Sequence, residues 1–299
     1  NGIDIKEDIY YHYDDFTVHM FVSIIDRKDV EKLTQFPIIG QIPQVTSKDP
    51  CVVINSPKSP VAEAFRSIRT NIEFITQGKA KNTILITSDT QGIGKTFNSI
   101  NIASVYALYG KKTILLGFDM RKPKLFQEFG LTNNTGLSSF LSNKENLDDI
   151  IQTSIKSPNL DIITSGPIPP NPAELIASTK CQELFDALKE RYDYIIIDTP
   201  PLGLVTDAFL LMKHSDVNLF IVRQGVTNKN IFGSIIKDIP DFRSQFQQAV
   251  DKQLRLKATL NEHGERHILK RGGRAVVKLH HKIVPAFHDG GDAVVFKLP

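Results

Sequence analysis

The chain has 299 residues, is 41% hydrophobic and 23% charged, and carries a formal net charge of +3, enough length to bury one large core or two small ones. Its two cysteines, Cys51 and Cys181, lie far apart and have no partner at metal-ligand spacing, which excludes a disulfide framework and a zinc site and fits a reducing compartment. No run reaches the roughly 18 to 20 apolar residues that cross a bilayer, and the first residues lack the charged and apolar regions of a secretory leader, so the chain reads as soluble.

The charge is uneven. Residues 240–299 hold eleven Lys/Arg against six Asp/Glu, net +5, which leaves 25 against 27, net −2, for the preceding 239 residues. A basic tail of this modest density is an ordinary solvated segment, and no specific nucleic-acid partner is expected.

In chain order, residues 1–25 mix acids and aromatics, with Tyr10, Tyr11 and Tyr13 beside Asp14 and Asp15, and show no periodicity. Asp26 to Leu33 reads as a short polar helix. From Phe36 to Pro60 the prolines Pro37, Pro43, Pro50, Pro57 and Pro60 fix φ and remove donors, which predicts an extended linker. Val61 to Ile75 places Val61, Ala64, Phe65, Ile68, Ile72 and Ile75 at three- and four-residue spacing, the pattern of an amphipathic helix. Thr83–Thr87, Thr113–Leu116, Leu160–Ile163, Tyr194–Ile197 and Val217–Val222 are continuous apolar runs, as in strands buried on both faces. Helices over Lys95–Tyr109 and Pro172–Arg191 lie between them. The predicted fold class is α/β, with a mainly parallel sheet flanked by helices.

The chemistry-bearing motifs sit at strand ends. Thr83–Thr87 runs into Ser88-Asp89-Thr90-Gln91-Gly92-Ile93-Gly94-Lys95-Thr96 and then a helix, the context of a Walker A phosphate loop, so the α/β fold with its mainly parallel sheet reads as a P-loop NTPase. Gly92 and Gly94 let successive amides curl round phosphate at a helix N-terminus, where unpaired N–H groups and the dipole favour anions. Lys95 would reach the β- and γ-phosphates, the Thr96 hydroxyl would ligate magnesium, and Ile93 and Phe97 complete the ATP-binding stretch. The leading glycine of the motif is replaced by Asp89. Tyr194–Ile197 ends in Asp198, the form of a Walker B carboxylate holding magnesium. Ile114–Leu116 leads through Gly117 and Phe118 to Asp119, then Arg121 and Lys122; a turn aspartate is the alternative for Asp119.

Val61–Asn71 (VAEAFRSIRTN), Ser88–Thr96, Asp119–Pro123 (DMRKP) and Asp198–Pro201 (DTPP) occur in this order, and together they resemble the cytoplasmic domain of the bacterial tyrosine autokinases of the exopolysaccharide co-polymerase type. The likeness covers about residues 26–239, including the linker from Asp26 to Pro43 that ends in FPIIGQIP. It implies an ATP- and magnesium-dependent protein-tyrosine kinase tied to exopolysaccharide or capsule export. Lys95, Asp119 and Arg121 would be catalytic, and Thr96, Asp119 and Asp198 would surround the metal. Glu63, Arg66 and Arg69 would form the E-x-x-R-x-x-R motif of a ring assembly. A plain surface helix with ion pairs is the alternative for that motif. The resemblance further implies a membrane co-polymerase segment upstream, an opposing tyrosine phosphatase, and a place on the cytoplasmic face of the bacterial inner membrane; a chain starting at Asn1 fits a fragment of such a protein. Thr90 stands where the partitioning and division-site ATPases carry a second lysine, which argues against that neighbouring class.

Two departures qualify this reading. The family usually carries two acids after the second strand, and here the first is Gly117, so a weakly active or inactive nucleotide-binding ring scaffold is the alternative function. The family also ends in a further strand and a tyrosine-rich tail, yet no tyrosine follows Tyr194. Tyr10, Tyr11 and Tyr13 are then the candidate phosphoacceptors. The expected organisation is an irregular segment and linker over 1–60, a kinase domain over 61–239 and an unassigned basic tail over 240–299, in which His263 and His267 stand at helical spacing without a third metal ligand.

Overall fold

A computed structural model describes residues 22–45, 49–203, 205–239 and 293–298. Tyr10, Tyr11, Tyr13, His263 and His267 fall outside these residues. The chain divides into two compact units, residues 1–236 with 291–299 and residues 237–290, and the sheet and the site described below lie in the first.

The elements follow the hydrophobic pattern closely. Helix α1 (Arg27–Leu33) is capped by Asp26, which accepts from Asp29 N. Strand β1 (Ile38–Ile42) and the short helix α2 (Val52–Asn55) come next. Helix α3 (Pro60–Ile75) starts at Ser59, whose Oγ accepts from Ala62 N, with Pro60 in the first turn, and it buries Val61, Phe65, Ile68 and Ile72. Strand β2 (Asn82–Ser88) feeds helix α4 (Lys95–Leu108), and β3 (Thr113–Gly117) follows. Three short helices, α5 (Leu125–Phe129), α6 (Leu137–Leu141) and α7 (Leu147–Ile150), lead to β4 (Gln152–Thr153) and β5 (Leu160–Ile163). Helices α8 (Pro172–Ala177) and α9 (Thr179–Arg191), strand β6 (Tyr194–Asp198), helix α10 (Asp207–Met212), strand β7 (Val217–Arg223), helix α11 over 229–239 and strand β8 (Ala293–Leu298) complete the order.

The described strands form one sheet in the order β1-β8-β7-β2-β6-β3-β5-β4. β7, β2, β6, β3 and β5 are parallel, as continuous apolar runs separated by helices require. The two faces are covered separately, because successive strand residues point opposite ways. Ile84 and Ile86 of β2 pack on the side of α3 and α4, with Phe65, Ile68 and Tyr106. Leu85 packs on the other side with Phe185 and Leu188 of α9 and Leu211 of α10. Parallel strands covered on both faces bring their carboxyl ends to one edge, where ligands bind in sheets of this kind.

Three expectations change. The proline-rich stretch 36–60 is not a plain extended linker: β1 pairs antiparallel with β8, and Val52 and Val53 of α2 are buried. Prolines flank β1 at Pro37 and Pro43 but leave its interior N–H groups free to pair. The single helix expected over Pro172–Arg191 is two, since Ser178 takes an extended conformation and its Oγ donates to Leu175 O. Residues 240–299, which carried no assignment, contribute β8, antiparallel to both β7 and β1, so the sheet draws on strands from either side of the 61–239 span. Among the described residues no helix is long and apolar enough to cross a membrane.

Candidate nucleotide site

The loop between β2 and α4 has the backbone that its glycines allow. Gly92 has φ +80° and Gly94, the N-cap of α4, has φ +108°, conformations that side-chain-bearing residues resist. The loop is held from several sides. Ser88 Oγ donates to Thr90 O at 2.7 Å, Asn98 Nδ2 to Gly94 O at 2.8 Å, and Arg223 Nη1, at the end of β7, to Gly92 O at 3.2 Å. Leu202 N and Gly203 N donate to Ser88 O and Asp89 O. A Cβ at Gly203 would stand 2.3 Å from Asp89 O, so the segment after Asp198 can lie against the loop only with glycine there.

Lys95 is buried at the start of α4. Burial lowers its pKa, and the carboxylates of Asp198, Asp119 and Asp89 oppose that effect. Asp198, at the end of β6, accepts from Thr96 Oγ1 at 2.8 Å and from Ser99 Oγ at 3.0 Å. Its burial is complete enough to push its pKa up to about 6 despite those hydroxyls and Lys95; Asp119 pushes in the same direction as burial. Asp89, where the motif usually begins with glycine, is buried too. The N–H groups of Thr90 and Asn228 favour its charged form without closing to good hydrogen-bond geometry, and burial dominates, raising its pKa.

Asp119 follows β3 by two residues and accepts from Lys122 N at 3.0 Å, so it does shape the turn. It also shares one small pocket with Thr96, Gly117, Lys122 and Asp198, so a turn role and a site role coexist. Lys122 Nζ reaches back to Gln91 Oε1 of the loop at 3.0 Å. Arg121 points elsewhere: its Nε and Nη2 grip Asp207 at 2.9 and 3.1 Å, and Asp207 is buried at the head of α10. A second, larger cavity of about 310 Å³ opens beside the loop, lined by Ile93, Gly94, Phe97, Asn98 and Arg223 together with Pro43 from the linker.

The residues singled out in the loop and at the ends of β3 and β6 thus converge on one edge. Ser99, Gly203, Arg223 and Asp207 were missed. Ser99 stands one turn after Thr96 and Gly203 two residues after the Pro200-Pro201 pair, signals the spacing offered; Arg223 and Asp207 had none. Away from the site, Glu63 pairs with Arg66 at 2.6 Å within α3, and Arg66 also donates to Pro57 O. Arg69 turns from Glu63 to lie 3.7 Å from Glu73 and 4.1 Å from the Tyr109 ring centroid.

Among the described residues, no group of three or more His, Cys, Asp and Glu could hold a metal by itself. A buried carboxylate and a threonine hydroxyl in contact fit a magnesium ion that arrives with phosphate oxygens as its remaining ligands.

Residues 81–256 match the AAA domain family. The chain is 46% identical over 159 residues to the putative tyrosine-protein kinase CapB of Staphylococcus aureus, covering 53% of this chain and 69% of that protein. It is 40% identical over 178 residues to the tyrosine-protein kinase YwqD of Bacillus subtilis, covering 60% and 75%. The solved BceF tyrosine kinase domain superposes with a TM-score of 0.65 at 30% identity, over 72% of this chain and 92% of that one. With these likenesses over most of the relatives' length, the chain belongs to the bacterial tyrosine kinases, as a kinase domain built on the AAA-type P-loop core.

Proposed function

We propose that the chain transfers the γ-phosphoryl group of magnesium-bound ATP to tyrosine hydroxyls of its own kind, within a system for exopolysaccharide or capsule export. The observation that carries this reading is the contact of Thr96 Oγ1 with Asp198 Oδ2 at 2.8 Å, directly behind a loop whose glycines turn the backbone toward an anion. The amides of Gly92 to Thr96 and the Lys95 ammonium bind the phosphates, and the cavity beside Ile93, Phe97 and Arg223 takes the nucleoside. Thr96 and Asp198 would hold magnesium, and Asp119 lies in the same small pocket. Bound magnesium neutralises charge on the β- and γ-phosphates. Asp119 orients the phenol and draws its proton, while positioning and fixed charge supply most of the rate. The two hydrogen bonds of Arg121 to Asp207 favour a positioning role for Arg121 in the DMRKP turn, and leave Lys122 to meet developing charge.

Glu63, Arg66 and Arg69 would mediate assembly with further copies, a membrane co-polymerase segment would precede β1 at the cytoplasmic face of the inner membrane, and a tyrosine phosphatase would oppose the reaction; the family resemblance supports all three. Gly117 favours the second reading, a scaffold that binds nucleotide and transfers little phosphate. Incubation with magnesium and ATP followed by phosphotyrosine detection separates the two. The parent is expected to label and Lys95→Met to fail; equal labelling by both would refute the assignment, and nucleotide binding without labelling by the parent would establish the scaffold.

A further inference from the structure

Resting on the kinase reading above, we infer that Tyr109 is a phosphoacceptor, modified by a second copy of the chain, and that Arg69 receives the phosphate. Among the described tyrosines, Tyr106 is 0%, Tyr192 8% and Tyr194 3% exposed, whereas Tyr109 is 56% exposed. The first three are built into the core. Tyr106 stacks on Tyr194 with ring centroids 3.7 Å apart, and Tyr192 donates to Asp161 Oδ2 at 2.8 Å. Phosphorylating any of them would mean tearing out a packed ring. Tyr109 instead caps the end of α4, where Gly110 at φ +81° turns the chain away, and its hydroxyl can be presented without disturbing the core.

Geometry also says which copy acts. Lys95 and Tyr109 stand at opposite ends of the same 14-residue helix, which at ~1.5 Å per residue separates them by ~20 Å. A hydroxyl at one end cannot reach a γ-phosphate held at the other, so the donor site belongs to another molecule. The transfer is balanced: the phenolic oxygen attacks the γ-phosphorus, the bond from that phosphorus to the β–γ bridging oxygen breaks with its electron pair passing to ADP, and the phenolic proton leaves to Asp119 of the donor copy or to water.

The surroundings fit the product. The Arg69 guanidinium lies over the Tyr109 ring, and its Nε is buried without a hydrogen bond, with Glu73 Oε1 at 3.7 Å. A phosphate on Tyr109 would replace a cation–π contact by a charge-assisted pair and compete with Glu73 for the same arginine. Because Arg69 belongs to the E-x-x-R-x-x-R motif, the modification would act on the surface assigned to assembly.

The test mixes a tagged full-length acceptor carrying Lys95→Met with untagged parent, magnesium and ATP, and maps phosphopeptides on the acceptor. Phosphate at Tyr109 is expected, forming faster as parent concentration rises and absent from an acceptor that also carries Tyr109→Phe. In phosphorus NMR, the second ionisation of that phosphate should lie below that of free phosphotyrosine and return toward it in Arg69→Gln; an unchanged ionisation overturns the role of Arg69. Acceptor labelled at other tyrosines with Tyr109 untouched overturns the site and leaves the kinase reading standing. If no tyrosine on either copy is labelled, the kinase reading fails and this proposal falls with it.

Discussion

Replacing Asp198 by asparagine should stabilise the nucleotide-free protein while abolishing its chemistry. The carboxylate lies in the sheet with its pKa raised from 3.8 to about 6, a net figure that already includes the favourable bonds from Thr96 and Ser99 and the attraction of Lys95. A raised carboxylate is a group whose neutral form the fold prefers. Its stabilising contribution is complete below the unfolded value and is lost as pH rises through about 6. A folded-state value of about 6 against 3.8 puts the penalty of ionised Asp198 at about 3 kcal/mol at neutral pH. Asparagine keeps the shape but only one acceptor, so one hydroxyl bond loses its charge-assisted character and the other hydroxyl must turn to accept from the new amide, which returns about 1 kcal/mol or more. A net gain of about 1–2 kcal/mol corresponds to a rise in Tm of ~2–8 °C for a domain of this size. The assay is thermal unfolding with chelator between pH 4 and 8, repeated with magnesium and ATP. The gain should be present at pH 7 and should fade toward pH 4, where both side chains are neutral; ligand should raise the Tm of the parent alone, and phosphotyrosine formation should vanish in the variant. A variant that melts below the parent at pH 7 without ligand, or a difference independent of pH, would refute the reasoning.

Asp119→Asn keeps the acceptor that closes the turn onto Lys122 N and removes only the charge, so phosphotransfer should fall on the order of 10²-fold with little loss of ATP binding; undiminished labelling would show that Asp119 is a turn residue alone. Gly117→Asp should fold, because Gly117 is not in the positive-φ region and its added Cβ meets first the far end of the Leu125 side chain at 3.2 Å. Labelling measured against magnesium concentration should then saturate earlier, and an unchanged curve would mean that the missing acid does not limit the reaction. Glu63, Arg66 and Arg69 changed together to alanine should leave a folded monomer by light scattering, the exposed Glu63–Arg66 pair costing little Tm and the loss of Arg69 from the Tyr109 ring more; a parent that is itself monomeric at high concentration would end the ring proposal.

Those features were legible in the sequence that depend on neighbours in sequence. The five parallel strands announced themselves as apolar runs, and the loop from Ser88 to Thr96 carried its own context of strand and helix. What escaped depends on distant partners. Nothing in Ile38–Ile42 foretells that its partner lies at Ala293–Leu298, because a strand pairing is set by backbone groups that every sequence possesses. Arg121 read as a catalytic cation after an acid, and its partner Asp207 is 86 residues away. The break at Ser178 turns on one hydroxyl choosing Leu175 O over solvent, a preference that helical periodicity does not register.

The acid missing at Gly117 and the burdened acid at Asp198 are one problem. Gly117 and Asp198 are register partners on adjacent parallel strands, so side chains at the two positions point to the same face, and both line the small pocket at the strand ends. Two carboxylates there would raise each other's pKa in the absence of a cation, on top of the burial that already lifts Asp198. Glycine spares the empty site that repulsion and surrenders a charge that magnesium would use. The Gly117→Asp variant should therefore melt lower than the parent without ligand and recover most of the difference when magnesium and ATP bind, since a bound cation turns the repulsion into shared attraction. A variant that loses the same stability with and without the ligand would place the cost in packing against Leu125 and Ser165 and would sever the link between the two positions.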